Sequence, residues 1–299
     1  MTPNWIEIRP AGKGDVDRQK KIWKLCFGDD DAYIDFFFTS RYREDKTLLM
    51  LLNGEIVSML TIIPVEVVTA DGRTFPSAML YAVATHPEYR GRGFASRLMD
   101  FCDRHLKQNL MEMSVIVPAE ERLFDFYARR GYKKGFYIRE ISIDADSIKE
   151  LTGGTAFRPF MMPASAQDYN IRRNSQLKGG LYVAYRDEDI AYQKKLSVLT
   201  GADIYTIDIE GIYGCAAVER IDHDRVLIKE LLVPEHLVLQ CLGQIAKRLP
   251  AAEYVLRLPA YRGAGLGGIV RPFGMVKSYR HPGNGTVTDR YGYLGIAFD

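Results

Sequence analysis

The stretch from Tyr81 to Ser96, YAVATHPEYRGRGFAS, constrains this chain more than any other part of it. Leu80 to Thr85 is a compact apolar run of β-type residues, halted by His86-Pro87, and it predicts a strand. Gly91 and Gly93 bracket Arg92. Phe94, Leu98, Phe101, Cys102 and Leu106 then recur on one helical face. A strand, a short basic glycine loop and a helix in this order aim several backbone N–H groups at one spot, where the helix dipole adds positive potential. Glycine allows close backbone approach because it has no Cβ. Arg90 and Arg92 bring charge to the same place, so the segment suits a pyrophosphate.

Three phosphate-loop patterns compete for it. A Walker loop requires a Gly-Lys-Ser/Thr ending, which is absent. Gly91-x-Gly93-x-x-Ser96 approaches a dinucleotide fingerprint but ends in Ser and does not follow a first strand. The third pattern, Arg/Gln-x-x-Gly-x-Gly/Ala, is matched by Arg90-Gly91-Arg92-Gly93-Phe94-Ala95. Downstream, a helix from Phe94 to Gln108 and an apolar strand from Met111 to Val117, stopped by Pro118, complete a β-loop-α-β unit. A further helix is expected from Ala119, with Glu120 and Glu121 at its positive end. It closes with Arg129-Arg130-Gly131, a basic last turn and a C-terminal glycine.

The segment PAEERLFDFYARRGY ends in Phe126-Tyr127-Ala128-Arg129-Arg130-Gly131-Tyr132. The two motifs in this order resemble the GNAT N-acetyltransferase superfamily. The resemblance implies acetyl-CoA as co-substrate and a small-molecule or peptide amine as acceptor. It implies that Val83, Ala84 and Thr85 pair with the pantetheine arm, and that Arg90, Gly91, Arg92, Gly93, Phe94, Ala95 and Ser96 hold the pyrophosphate. Tyr127 matches the tyrosine that bonds the CoA sulfur as general acid. A phenol of ordinary pKa near 10 is protonated at neutral pH and so can donate. Without the motif, Tyr127 reads as a core aromatic one turn from Leu123.

Composition sets outer limits. A chain of 299 residues predicts two domains of ordinary size, and 47% hydrophobic with 26% charged residues is a globular balance. A net charge of +2 gives no polyanion signal, so nucleic acid is not an expected partner. MTPNWIEIRP lacks the apolar core of a signal peptide, and no apolar run suggests a membrane span. Cys26, Cys102, Cys215 and Cys241 form no CxxC pair and read as reduced cysteines of a cytoplasmic protein. His86, His105, His223, His236 and His281 show no metal-ligand spacing, so no metal is expected.

The fold class expected is α/β with a mixed sheet. A GNAT domain over residues 1–146 is followed by a degenerate GNAT-like domain over 147–299. In the first domain, Ile6–Ile8 is a strand, Val16–Phe27 a helix, and Asp29, Asp30 and Asp31 precede a helix over Ala32–Arg43. Strands at Thr47–Leu52 and Ile56–Ile63 are joined by Asn53-Gly54. A turn at Ala70-Asp71-Gly72 leads to the motif strand, and Phe136–Ile143 ends the set. Leu151 to Thr155 reads as a linker. The second half offers a helix-rich region from Ala166 to Thr200 and strands at Ile204–Ile209, Gly214–Glu219 and Arg225–Val233. A helix over Pro234–Leu249 and a strand at Tyr254–Leu258 follow. After Val233 the loop motif is missing. Arg262-Gly263-Ala264-Gly265-Leu266-Gly267 spells it later, but Pro272 and Gly274 leave no room for a helix behind it.

This layout resembles the tandem-GNAT enzymes of the enhanced intracellular survival type. Members of that family also carry a sterol-carrier-like domain, for which the chain is too short. An alkylamine of pKa near 10.4 must lose a proton before attack. Ser77 to Thr85 contains no carboxylate, which leaves Glu66, Asp35, a relayed water or the chain's own C-terminal carboxylate at Asp299. That last role follows from the family resemblance. Tyr293 to Asp299 otherwise reads as the last strand of the second domain.

Overall fold

The computed structural model describes residues 5–152, 159–279 and 291–298, which group into two compact units. The first unit contains the chain up to Val65, Phe75–Val117 and a short piece beginning at Lys277. Its elements are β1 (Ile6–Pro10), α1 (Val16–Phe27), α2 (Asp31–Ser40), β2 (Thr47–Leu52), β3 (Glu55–Val68), β4 (Thr74–Thr85), α3 (Phe94–Gln108) and β5 (Met113–Ile116). The strands lie in sequence order, with β1–β2 and β2–β3 antiparallel and β4–β5 parallel.

Local chemistry explains most of these boundaries. Asn53 and Gly54 both take positive φ, 51° and 86°, which a two-residue hairpin needs to match the twist of its strands. Gly28, at φ 78°, ends α1 with its N–H on the carbonyl of Lys24. In the aspartate trio, Asp30 is the cap and accepts from the Tyr33 amide at 2.7 Å. Asp29 instead takes the Trp23 indole N–H at 2.7 Å, and Asp31 takes Lys24. On α3, Phe94, Leu98, Met99, Cys102 and Leu106 are buried. The late piece of chain is fastened to this unit: Lys277 Nζ donates to Asp103 Oδ2 at 2.5 Å and the Tyr279 amide to Glu112 O at 2.8 Å.

The second unit contains Glu66–Thr74, the chain from Pro118 to Val276, and residues 291–298. Its helices are α4 (Glu121–Ala128), α5 (Ala145–Thr152), α6 (Ala166–Leu177), α7 (Asp187–Leu199) and α8 (Val238–Arg248). Its strands are β6 (Lys133–Asp144), β7 (Phe160–Pro163), β8 (Tyr182–Ala184), β9 (Ile204–Ile209), β10 (Ile212–Arg220), β11 (Arg225–Leu232), β12 (Glu253–Pro259) and β13 (Ile269–Ser278). The strand order is β13-β6-β12-β11-β10-β9-β7, antiparallel except for β11–β12. The core lies between these strands and α8, around Ile207, Val218, Ile228, Cys241, Ile245 and Leu256. The run β9-β10-β11-α8-β12 repeats the order β2-β3-β4-α3-β5, including a parallel last pair.

Several boundaries differ from the expectations. The helix expected to Arg43 stops at Ser40, and Arg41 to Arg43 lead into β2 through a short 3-10 turn. Leu151 and Thr152 complete α5 and are not linker; the rest of that expected linker lies outside the described residues. The region from Ala166 to Thr200 is broken by β8, which pairs with the Glu66–Val68 end of β3. The helix expected from Pro234 opens as a 3-10 turn at Glu235–Leu237 with Pro234 as its N-cap, and α8 begins only at Val238. Among its described residues the C-terminal run makes isolated bridges at Gly292 and Tyr293 and no continuous strand.

Candidate functional site

β4 outruns its partner. Its parallel register with β5 runs from Ser77↔Met113 to Leu80↔Ile116, where β5 ends. Tyr81 to Thr85 continue beyond that point. Within them Ala82 has φ +49°, a left-handed conformation that costs a non-glycine residue about 1–2 kcal/mol. The kink turns the strand where its neighbour stops. Tyr81, Ala82, Val83 and Thr85 are half-buried, and Ala84 is buried.

The far side of this segment is held firmly. Ser58 Oγ donates to Ala84 O at 2.7 Å and lies 2.9 Å from Thr85 Oγ1, and the His86 amide donates to Val57 O at 2.9 Å. The Thr85 carbonyl accepts from Cys26 Sγ at 3.3 Å and from Arg90 Nε at 3.2 Å. Arg90 thus folds back and ties the loop to the strand end. Arg92 lies over the Tyr89 ring, 5.4 Å from its centre, and Tyr89 donates to Glu55 Oε2 at 2.8 Å.

Gly91 and Gly93 take φ 78° and 76°, and a Cβ at either would meet nothing within 4 Å. The backbone conformation demands glycine there, and the space in front of the loop is open. Gly93 is the N-cap of α3 and brings no capping side chain, and the first turn of α3 holds no acidic residue. An α-helix leaves its first amides without intrahelical acceptors, those of Phe94 and Ala95 among them here. The positive end of α3, with its dipole, therefore opens onto the glycine loop without a carboxylate of its own.

An aromatic cluster that sequence reasoning missed packs on the motif strand. The Tyr81 ring lies 5.8 Å from Trp23 and 5.6 Å from Phe37, and its hydroxyl is 3.4 Å from that of Tyr33. The density of Tyr and Phe in α2 was its only sequence signal.

Tyr127 belongs to the second unit, buried near the end of α4. Its ring lies edge-on to Phe126 and Tyr132, at 5.1 Å and 5.9 Å. Burial pushes the phenol up to about 12, slightly opposed by Arg130. It is therefore protonated, and a donor, at neutral pH. Arg130 stacks 4.1 Å over Phe126. Of the proposed proton acceptors, Asp35 is exposed and takes Lys20 Nζ at 2.7 Å, and Glu66 is exposed in register with Ala184. Asp299 lies outside the described residues.

The residues preceding it are deeply held in the second unit. Arg173, fully buried, donates to Glu230 Oε1 at 3.0 Å, to Val183 O at 2.8 Å and to Leu294 O at 2.9 Å. Tyr185 donates to the carbonyls of Leu294 and Ile296, and the Phe298 ring packs against Tyr185 and Tyr192. The second Arg-x-x-Gly-x-Gly copy forms a three-residue 3-10 turn, Ala264–Leu266, and then enters β13, which holds Pro272 and Gly274. No helix dipole backs it.

Residues 7–135 match the family model of an acetyltransferase (GNAT) domain. No curated protein sequence matches the chain significantly. Among solved structures, a GCN5-related N-acetyltransferase from Anabaena variabilis is similar at TM-score 0.71 and 16% identity, covering 91% of this chain and 72% of that one. One from Kribbella flavida gives TM-score 0.69 at 17% identity, with 91% and 71% covered. Eis1 from Mycobacterium abscessus gives 0.65 at 12% identity, with 91% and 73% covered. At these identities the likeness shows a shared fold. Over residues 7–135 the chain is therefore similar to the acetyltransferase (GNAT) domain family.

Proposed function

We propose that the protein is an N-acetyltransferase that moves an acetyl group from acetyl-CoA to a small-molecule or peptide amine by direct attack in a ternary complex. In this reading, residues 1–146 form the catalytic GNAT domain and 147–299 a degenerate GNAT-like domain. One observation carries it: β4 passes the end of β5, kinks at Ala82 and feeds a glycine loop at the open positive end of α3. An extended backbone edge can take an amide-bearing arm as an added strand, and helix-start amides suit a pyrophosphate.

Val83 and Thr85 then serve the pantetheine, with Ala84 held in place through Ser58. The amides from Gly91 to Ser96 take the pyrophosphate. Arg92 supplies charge, and Arg90 supports the loop through its bond to Thr85. The amine nitrogen bonds to the thioester carbon, the C–S bond breaks, and amide and free CoA leave. Tyr127 donates to the sulfur as negative charge develops there. A phenol raised to about 12 is a weak acid beside a thiol of pKa about 8.5, so its part is the hydrogen bond rather than complete proton transfer. The amine's proton goes to a base, for which the Asp299 α-carboxylate is the candidate.

A thermal-shift series with acetyl-CoA, CoA and NAD(H) tests the reading. A ligand at 100 times its dissociation constant adds about 2.7 kcal/mol of stability. Acetyl-CoA and CoA should raise the melting temperature. Stabilisation by NAD(H) without CoA would overturn the assignment.

A further inference from the structure

The second unit holds a cavity of about 490 Å³ that no step above uses. It lies beyond the carboxyl ends of the parallel pair β11–β12. Arg262, soon after β12, lines it and donates to the carbonyl of Val233, next after β11, at 3.1 Å. Crevices at the carboxyl ends of parallel strands are where open sheets lodge ligands. The opposite wall is the turn from α6 into β8, where Gly179 takes φ +85°.

The lining is cationic. Lys178 and Arg262 face it, and none of the described lining residues is acidic. The last carbonyls of α6 would repel an anion, but both are engaged: Gln176 O accepts from Arg262 at 2.7 Å and Leu177 O from the Gly180 amide at 3.1 Å. Arg262 uses two of its five N–H groups on these walls. Lys178 is exposed and forms no ion pair among the described residues. Two tyrosines complete the lining and present ring surface to solvent, Tyr261 at 47% and Tyr291 at 55% exposure. Neither ring hangs loose. Tyr291 is braced edge-on at 4.7 Å by Tyr137, and the Arg262 guanidinium lies 5.9 Å from the centre of the Tyr261 ring.

We propose that this cavity binds a planar aromatic anion, its carboxylate or phosphate paired with Lys178 and Arg262 and its ring against Tyr261 and Tyr291. Aromatic faces favour a flat apolar ring, and charge-assisted bonds to the anion fix its orientation. Every described lining residue belongs to the second unit, so the site is additional to the glycine loop.

Calorimetry of the full chain with benzoate, phenyl phosphate, benzamidine and inorganic phosphate tests this. At least one aromatic anion should bind saturably, and the tighter of the two identifies the acid group. Benzamidine, a cation of the same shape, should bind at least about tenfold more weakly, as should inorganic phosphate, which lacks the ring. Lys178→Glu and Tyr261→Ala, both at exposed positions, should each weaken binding about tenfold while leaving the melting temperature and acetyl-CoA affinity unchanged. Binding of the aromatic anion should survive in Gly93→Val, which disables the other anion site. The proposal is overturned if neither aromatic anion saturates below about 10 mM, a concentration at which binding is worth under 3 kcal/mol. It is equally overturned if benzamidine or inorganic phosphate binds as tightly, if the two variants bind normally, or if Gly93→Val abolishes binding.

Discussion

Gly93 stands at φ 76° with open space around it, so two separate penalties fall on a larger residue there. The left-handed backbone costs about 1–2 kcal/mol, and the new side chain projects into the space that the pyrophosphate would fill. Gly93→Val should therefore fold with a slightly lowered melting temperature and lose acetyl-CoA binding by calorimetry. Unchanged affinity would remove the loop from the site. At Tyr127 the relevant quantity is the proton. Burial raises the folded-state pKa to about 12, so the donor form persists through neutral and moderately alkaline pH and is lost only as pH passes that value. Turnover should show no falling limb near pH 10 assignable to this phenol. Tyr127→Phe should keep acetyl-CoA affinity and lose about 10²–10³-fold in kcat, the size of losing one donor to developing negative charge. A wild-type rate would make Tyr127 a packing residue. The motif and the tyrosine were both legible as residues, because they are short local signals. That Arg90 is spent on the Thr85 carbonyl was not, because the bond depends on how the loop folds back.

Among the elements, β4 carries the candidate site, and its kink is the informative part. Sequence reading predicts a plain strand over Leu80–Thr85, since alanine in an apolar run signals nothing else. The structure puts Ala82 at φ +49° just beyond the last β5 partner. Ala82→Val places a β-branched side chain in that conformation. It should cost about 2 kcal/mol in urea denaturation and weaken acetyl-CoA binding if the strand straightens to relieve the strain. Stability and affinity both unchanged would show that the kink is not required. The α3 helix was read to the residue and α2 only approximately. A left-handed glycine marks the start of α3 sharply, whereas α2 ends without a glycine and frays into a turn.

At the scale of the whole molecule, the C-terminal segment separates the two sources of information. Arg173 and Glu230 are both fully buried, and Arg173 also holds Leu294 through its carbonyl. Removing one partner of a buried pair costs about 3–5 kcal/mol, so Arg173→Met should lower the denaturation midpoint markedly. A small change would mean that water or a rearranged carboxylate compensates Glu230. Phe298 is buried against Tyr185 and Tyr192, so deleting the terminus would also open a cavity. Appending one glycine after Asp299 is the cleaner test of the proposed base. It moves the α-carboxylate and should cripple turnover while leaving acetyl-CoA binding intact; full activity would exclude the terminus as base. By itself the sequence determined the helices and hairpins with local caps and turns, the glycine loop, the Phe-Tyr motif and the repeat of element order. Only the tertiary structure decided the kink at Ala82, the pairing of β13 with β6 and of β8 with β3, the cavity at Tyr261, and the buried ion pair that fastens the last residues. The first group rests on backbone preferences within a few residues. The second rests on contacts between distant parts of the chain, such as Ile269 with Glu140 and Leu294 with Arg173, whose energies exist only after the chain has folded.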